Sequence, residues 1–406
     1  MIHKQVNLLL LMLIGCLVAC NSRKPGTEDV ANLQWNQLEA KAKNTNLTMM
    51  MYQGDKKANA YMQHVVDEIK KQYGILLTII PGQGKEIVSS IMSQKEAGKE
   101  NGEIDLCWIN GETFYQLKQI DGLYGPYTEK LPNSKYIDYN DPIIKYDFQQ
   151  PINGYETPWG KAFYSVICDS AKVKTAPVSM ADFERYWKQN PGKFTFALDF
   201  MGMTLLKSWL VELAGGIKVL DGKFDSVKYN QYSTQLWEFI NKNKKYFWKN
   251  GETFPATNVS ISQMYSNGEL NFTFAFGVAE IDRKVAEGLF PPSSKAYILK
   301  AGSIQNTSYL GIAYNSRNKP AALVVCNYLI SPQAQIDRSN INIWGGSPVF
   351  DYNKLEKEWQ DKYNALPKLK YGLTEAEVKS KAINETESRY MIKIAEDFRK
   401  KVIEAN

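Results

Sequence analysis

Short apolar runs alternate with amphipathic stretches from Leu47 onward. Leu47–Tyr52, LTMMMY, reads as a strand that Gln53-Gly54-Asp55 turns. Over Ala58–Tyr73, the residues Met62, Val65, Val66, Ile69 and Tyr73 share one helical face, and Gly74 stops the helix. A second apolar run, Ile75–Ile80, ends at Pro81-Gly82-Gln83-Gly84, and Glu86–Met92 continues as helix. A third run, Ile104–Ile109, stops at Asn110-Gly111. Phe114, Leu117 and Ile120 or Leu123 then mark one side of another helix. Strand and helix in this order predict a parallel sheet with helices on both faces. Ligands of such sheets bind beyond the carboxyl ends of the strands, where Asn110, Glu112 and Thr113 fall. Gly82-Gln83-Gly84-Lys85 lacks the GxxxxGK[ST] pattern and is not a phosphate loop.

From Leu131 to Gly154 the chain is loop-like, rich in Tyr, Asp, Asn and Pro. Gly154–Lys161 and the apolar strand Ala162–Cys168 read as a crossing into a second α/β core. That core is predicted from a helix at Phe183–Trp187, a strand at Phe194–Leu198 and a helix from Met203 to Leu213. Further helix over Trp237–Trp248 and Ile261–Tyr265 and a strand at Asn271–Phe276 complete it. Tyr309–Tyr314 is a strand that returns to the first core, and Pro320 opens a helix that Ser331-Pro332 closes. Trp344-Gly345-Gly346-Ser347-Pro348 is a turn. The tail from Thr374 is a long amphipathic helical region, with a capping box at Thr374 and Glu377. Its stripe of Met391, Ile394, Ala395, Phe398 and Val402 is expected to pack on its own lobe.

Composition narrows the class. The 406 residues are 44% hydrophobic and 23% charged, enough for two cores of ordinary size. The net charge of +6 is spread over scattered Lys and Arg, so no nucleic-acid partner is expected. Lys4 followed by the greasy Val6–Val18 has the length of a signal sequence and is too short for a stable membrane helix. Leu17-Val18-Ala19-Cys20 resembles a bacterial lipobox, which implies cleavage before Cys20 and lipidation of its thiol. The expected division is therefore 1–19 leader, 20–45 lipidated cysteine and tether, 46–157 with 305–406 as lobe 1, and 158–304 as lobe 2. Cys107, Cys168 and Cys326 each sit in an apolar stretch, read as small buried hydrophobes. No CxxC or Cys/His spacing points to a metal, and no cofactor is expected. His64 is the one histidine beyond the leader, and neither GxSxG nor HExxH occurs, so an enzyme is not expected. A hydrolase or transferase working through a carboxylate pair stays open, because such pairs have no fixed spacing.

Several segments then resemble solute-binding proteins of ABC importers, in the branch with thiamine-, polyamine- and iron-binding members, and the YnjB-type family most. They are Gly54-Asp55, Asp105 with Trp108-Ile109-Asn110-Gly111-Glu112-x-Phe114, Gly154-Tyr155-Glu156-x-Pro158-Trp159-Gly160-Lys161-Ala162 and Asp169-Ser170-Ala171. Asp199-Phe200-x-Gly202 and Asn327-Tyr328-Leu329-Ile330-Ser331-Pro332-x-Ala334-Gln335 belong with them. The resemblance implies a type II periplasmic-binding-protein-like α/β fold, two lobes with a ligand cleft at the hinge. It also implies a monomer, anchored outside the cytoplasm by lipid, that delivers a small solute to a permease and its ATPase. Met201 and Met203 stand where the family tends to carry Thr and Ser, and Lys56-Lys57 replace an apolar pair.

Strands at Pro158–Cys168 and Ser303–Tyr314 are the expected hinge. The expected ligand contacts are Asp55, Asn59, Asn110, Glu112, Glu156, Trp159, Asp199 and Trp344. Each has a plainer role available. Asp55, Asn59 and Asp199 can cap helices, and Glu112 can neutralise a helix start. Glu156 can pair with Lys161, and Trp159 and Trp344 can be packing. Acids and tryptophans at one cleft suit a cationic, flat organic solute, thiamine-like or an amine, since a cation over indole gains roughly 0.5–2 kcal/mol. Ferric iron is the weaker alternative, because the 24 tyrosines include no adjacent pair.

Overall fold

Leu47, Met49 and Met51 are buried while their neighbours are not, the period-two signature of a strand with one covered face. This strand, β1 (Asn46–Met51), leads into α1 (Lys56–Tyr73), capped by Asp55 and ended by Gly74 at a φ of 69°. The unit repeats as β2 (Leu76–Pro81), α2 (Gly84–Glu96), β3 (Leu106–Ile109) and α3 (Gly111–Gln119). β1 pairs in parallel with β2 on one side and β3 on the other, as the alternation predicts. The computed structural model describes residues 30–404, and a compact unit begins at Trp35. The expected leader and Cys20 lie outside the described residues.

Two lobes follow from how the chain leaves this sheet and comes back. β4 (Glu156–Phe163) lies in the first sheet, and only Tyr164 separates it from β5 (Ser165–Asp169) in a second. Helices α4 (Met180–Gln189), α5 (Phe200–Leu213) and α6 (Ser226–Asn243) surround the second sheet. That sheet places β5 between β6 (Phe272–Ala275) and, after α7 (Glu280–Ala286), β7 (Ser294–Tyr297), all antiparallel. β8 (Ser303–Ile312) returns to the first sheet, antiparallel to both β3 and β4. Helices α8 (Lys319–Leu329) and α9 (Pro332–Ser339) come next, and β9 (Ala382–Asn384) adds in parallel to β8. The last helix is α10 (Ser388–Phe398). Cys107, Cys168 and Cys326 are free and buried, as their apolar settings predict.

Two expectations change. Phe194–Leu198 is not a strand, although Phe194 and Phe196 are fully buried. Its backbone bonds reach no strand: Trp248, at the start of a 3-10 turn, donates to Phe194, and Leu198 donates to Pro255. The tail is not one helical region, because β9 breaks it to complete the first sheet. Its apolar stripe lies against α5 and α6, in the core of the second lobe. Phe398 stands 5.4 Å from Phe196 and 5.1 Å from Phe254, ring to ring.

Phe398→Ala should therefore cost about 3–5 kcal/mol, measured by urea unfolding. A cost under about 1 kcal/mol would mean that the tail helix is not integral to that core.

Candidate functional site

The carboxyl ends of the first-lobe strands carry a packed group of aromatic rings. Trp108, on β3, meets Trp159, on β4, edge to face with centroids 4.9 Å apart. Trp344, in the loop after α9, lies 5.5 Å from Trp159 and 5.5 Å from Tyr61. Tyr52, just past β1, lies 6.4 Å from Trp108. Trp159 and Trp344 are buried, whereas Trp108 is half-buried. Arg338 sets its guanidinium 4.2 Å from the Trp344 ring centre and 5.5 Å from that of Trp159. It fits because Gly160 and Gly346 have no side chains; a Cβ on either would lie 2.0 or 2.6 Å from it. Arg338 donates to the Ser347 carbonyl and has no acidic partner among the described residues. Burial pulls its pKa down to about 10, so it stays charged at neutral pH.

A second cluster joins the lobes. Asp55 accepts from the Lys57 and Ala58 backbone, the expected cap of α1. It also takes both arms of Arg283 from α7, at 2.9 and 3.3 Å. Burial raises the Asp55 carboxyl, but Arg283 and the two N–H donors outweigh burial and the net shift is down. Asp199 also caps its helix, accepting from Met201 and Gly202, and takes a further bond from the Asn258 backbone. The Tyr52 hydroxyl is pushed up to about 12 by burial, then by the carboxylates of Asp199, Glu280 and Asp55. Its ring folds over Gly54, where a Cβ would stand 1.9 Å from the hydroxyl. Gly54 thus holds open the space that Tyr52 uses.

The third cluster is acidic and enclosed. Glu156 and Asp147 are fully buried and none of their four carboxyl oxygens has a hydrogen-bond partner. Burial raises both well above the carboxylate range; Asp147 adds to the rise of Glu156, while Glu385 and Glu112 add to that of Asp147 against the Gly111 backbone, which lowers it. The Lys161 partner considered for Glu156 pairs instead with Asp141 at 3.2 Å. Trp159 bulges out of the ladder between the two, with Glu156 opposite Gly311 of β8 and Lys161 opposite Thr307. Glu112 has one enclosed, unpartnered oxygen and is raised from 4.5 to about 7, chiefly by burial. Lys207 of α5 opposes this, while Glu385 adds to it. Lys207 and Glu385 form a buried ion pair. Asn110 occupies the cap position of α3 without a side-chain bond to it. Asn59 donates to the Gln53 carbonyl at 2.8 Å, and its oxygen is unpartnered.

Among the described residues no group of three or more His, Cys, Asp or Glu is arranged to hold a metal. Two surface depressions, one beside Lys300 and Lys381 and one beside His64 and Asp337, include none of the expected ligand residues.

The family model for bacterial extracellular solute-binding proteins matches residues 64–368, well over half the chain. The chain belongs to this family. Protein YnjB of Escherichia coli strain K12 is 30% identical to this solute-binding protein over 325 residues, 79% of this chain and 84% of YnjB. The fold matches the Tp0655 (TpPotD) lipoprotein of Treponema pallidum with a TM-score of 0.64 at 13% identity, covering 88% of this chain and 99% of that one. It matches the periplasmic binding protein AfuA from Actinobacillus pleuropneumoniae with a TM-score of 0.63 at 10% identity, over 88% of this chain and 98% of AfuA.

The structure brings the expected residues of this solute-binding protein into three groups. Trp159 and Trp344 pack at a tilt of 51°, Asp55 and Asp199 cap helices and act on the Tyr52 hydroxyl, and Glu112 and Glu156 sink into the acidic group. Sequence reasoning missed Tyr52, Asp147, Lys207, Glu280, Arg283, Arg338 and Glu385. Trp108 and Tyr52 had a signal, since each stands at the end of a strand beside expected ligand residues. The others are joined to the site only by distant contacts.

The raised Glu112 group makes stability depend on pH. Between about 4.5 and about 7 the folded chain holds a proton that the unfolded chain has released, so this contribution is lost as pH rises through that window. The melting temperature of the wild type relative to Glu112→Gln should fall from pH 5 to about 7.5 in differential scanning calorimetry. A rise over that range would contradict the assignment.

Proposed function

We propose that this solute-binding protein captures a small cationic organic solute between its lobes and delivers it to the permease and ATPase of an ABC importer. The observation that carries the ligand class is the gathering of Asp55, Asp199 and Glu280 around Tyr52, with acids from both lobes and one hydroxyl between them. Low-dielectric walls strengthen such a field, and a cation that meets both lobes favours the closed form by its differential affinity. The half-buried Trp108 supplies an apolar face beside it.

The lobe division we propose is 46–157 with 305–384, and 158–304 with the tail helix from Ser388, which packs in the second core rather than in lobe 1 as expected, hinged at Pro158–Cys168 and Ser303–Tyr314. The direct passage from β4 to β5 at Tyr164 supports it. We read the leader as a signal peptide and Cys20 as the lipid anchor, which holds a monomer on the outer side of a bacterial membrane. That the family and the matching structures are binding proteins of transporters supports capture without catalysis.

Native mass spectrometry of the protein purified from its host tests the ligand class. A co-purifying organic cation at one per chain is expected; an anion, a neutral sugar or ferric iron would overturn it. Arg283→Met should weaken the same solute roughly ten-fold by loosening closure onto Asp55, read by titration calorimetry. Unchanged affinity would show that this pair does not govern closure.

A further inference from the structure

We propose that a depression on the first lobe, between α1, the end of α8 and α9, is a second binding site, and that it takes an alkyl guanidinium. It is separate from the cleft and does not depend on which solute the cleft holds.

The depression has a volume of about 350 Å³, room for a small organic cation. Glu68 of α1 and Asp337 of α9 line it from two sides, with Tyr73 and Tyr328 between them in the lining. Glu68 lies about 20 Å along α1 from the Asp55 cap that meets the second lobe. The walls are braced from behind. The buried Tyr61 hydroxyl donates from α1 to the Ala334 carbonyl of α9 at 3.0 Å. Asn133 is tied to Asn327 of α8 by bonds of 2.8 and 2.9 Å.

This lining is rich in acceptors and short of free donors. Gln72 gives its amide nitrogen to Glu68 at 2.8 Å, and Gln333 gives its own to both oxygens of Asp337 at 2.9 Å. Asn133 gives its own to the Asn327 carbonyl. Tyr328 is only 8% exposed, yet it lines the depression, and its hydroxyl has no hydrogen-bond partner among the described residues. That phenol is pushed up to about 12 by burial, then by the charges of Glu68 and Asp337. Lys71 meets Glu68 at 3.4 Å, but its side chain is 76% exposed, and such a pair is weak.

What the lining lacks is an ion that carries several N–H groups. A guanidinium is flat, presents its donors in a fixed fork that matches a carboxylate, and rests on aromatic faces. Carboxylates, an unpartnered phenol and tyrosine rings meet here in one cavity.

NMR of the His64 imidazole, in the chain without its leader, tests the site. The sequence holds two histidines and His3 lies in the leader, so the remaining imidazole signal reports on the depression that His64 lines. Ethylguanidinium chloride, and separately N-acetylarginine amide, should move that signal saturably at millimolar concentration, whereas sodium chloride at equal ionic strength should not. Asp337→Asn and Tyr328→Phe should each weaken the guanidinium roughly ten-fold, with circular dichroism confirming the fold. Either guanidinium supports the site; tighter binding of ethylguanidinium would assign it to a small solute, and tighter binding of the amide to an arginine on a polypeptide. A signal that neither guanidinium moves, that moves as far with sodium chloride, or that keeps full affinity in both variants would overturn the proposal.

Discussion

The ladder between β4 and β8 holds the two sheets in one frame. Gln305 lies opposite Phe163 at one end and Gly311 opposite Glu156 at the other. β8 also bonds to β3, so its position fixes where the carboxyl end of β3 stands. Tyr164 donates to the Ile304 carbonyl at 2.9 Å just as the chain leaves the first sheet. Trp159 and Tyr164 therefore have their positions set by the same run of main-chain bonds.

Charge is distributed around that frame unequally. Arg338 is buried without a carboxylate, and Asp147 and Glu156 are buried without a cation in contact. An isolated charge in a dry interior is expensive, so the acids hold their protons while the guanidinium, whose pKa is far higher, keeps its charge against indole faces. The two interlobe ion pairs, Asp55 with Arg283 and Lys207 with Glu385, differ in the same way. The first is partly open to water and can part and re-form; the second is enclosed and costs much more to break.

The sheet was legible because burial imposes a period. Leu47, Met49 and Met51, and the stripe of α1, can be read without a structure. Phe194–Leu198 misled because its apolar residues are buried by neighbouring helices and β6 while its backbone joins no sheet, and apolar content does not reveal what the backbone bonds to. Asp55 stood out as a turn residue, yet its partner Arg283 is 228 residues away. Asp147 lay in a stretch read as loop, and its burial comes from elements before and after it. Residues at strand ends were visible; the side chains that arrive from elsewhere to meet them were not.

The tail has a mechanical consequence. β9 is bonded into the first sheet, and α10, which begins at Ser388, is embedded in the core of the second lobe. Glu385–Glu387 is thus a third cord between the halves, beside the two strands. Two cords permit both bending and twisting, whereas a third, entering next to β8, adds resistance to torsion. The jaw so built would swing mainly about one axis, and its gape is set by how far three residues can stretch.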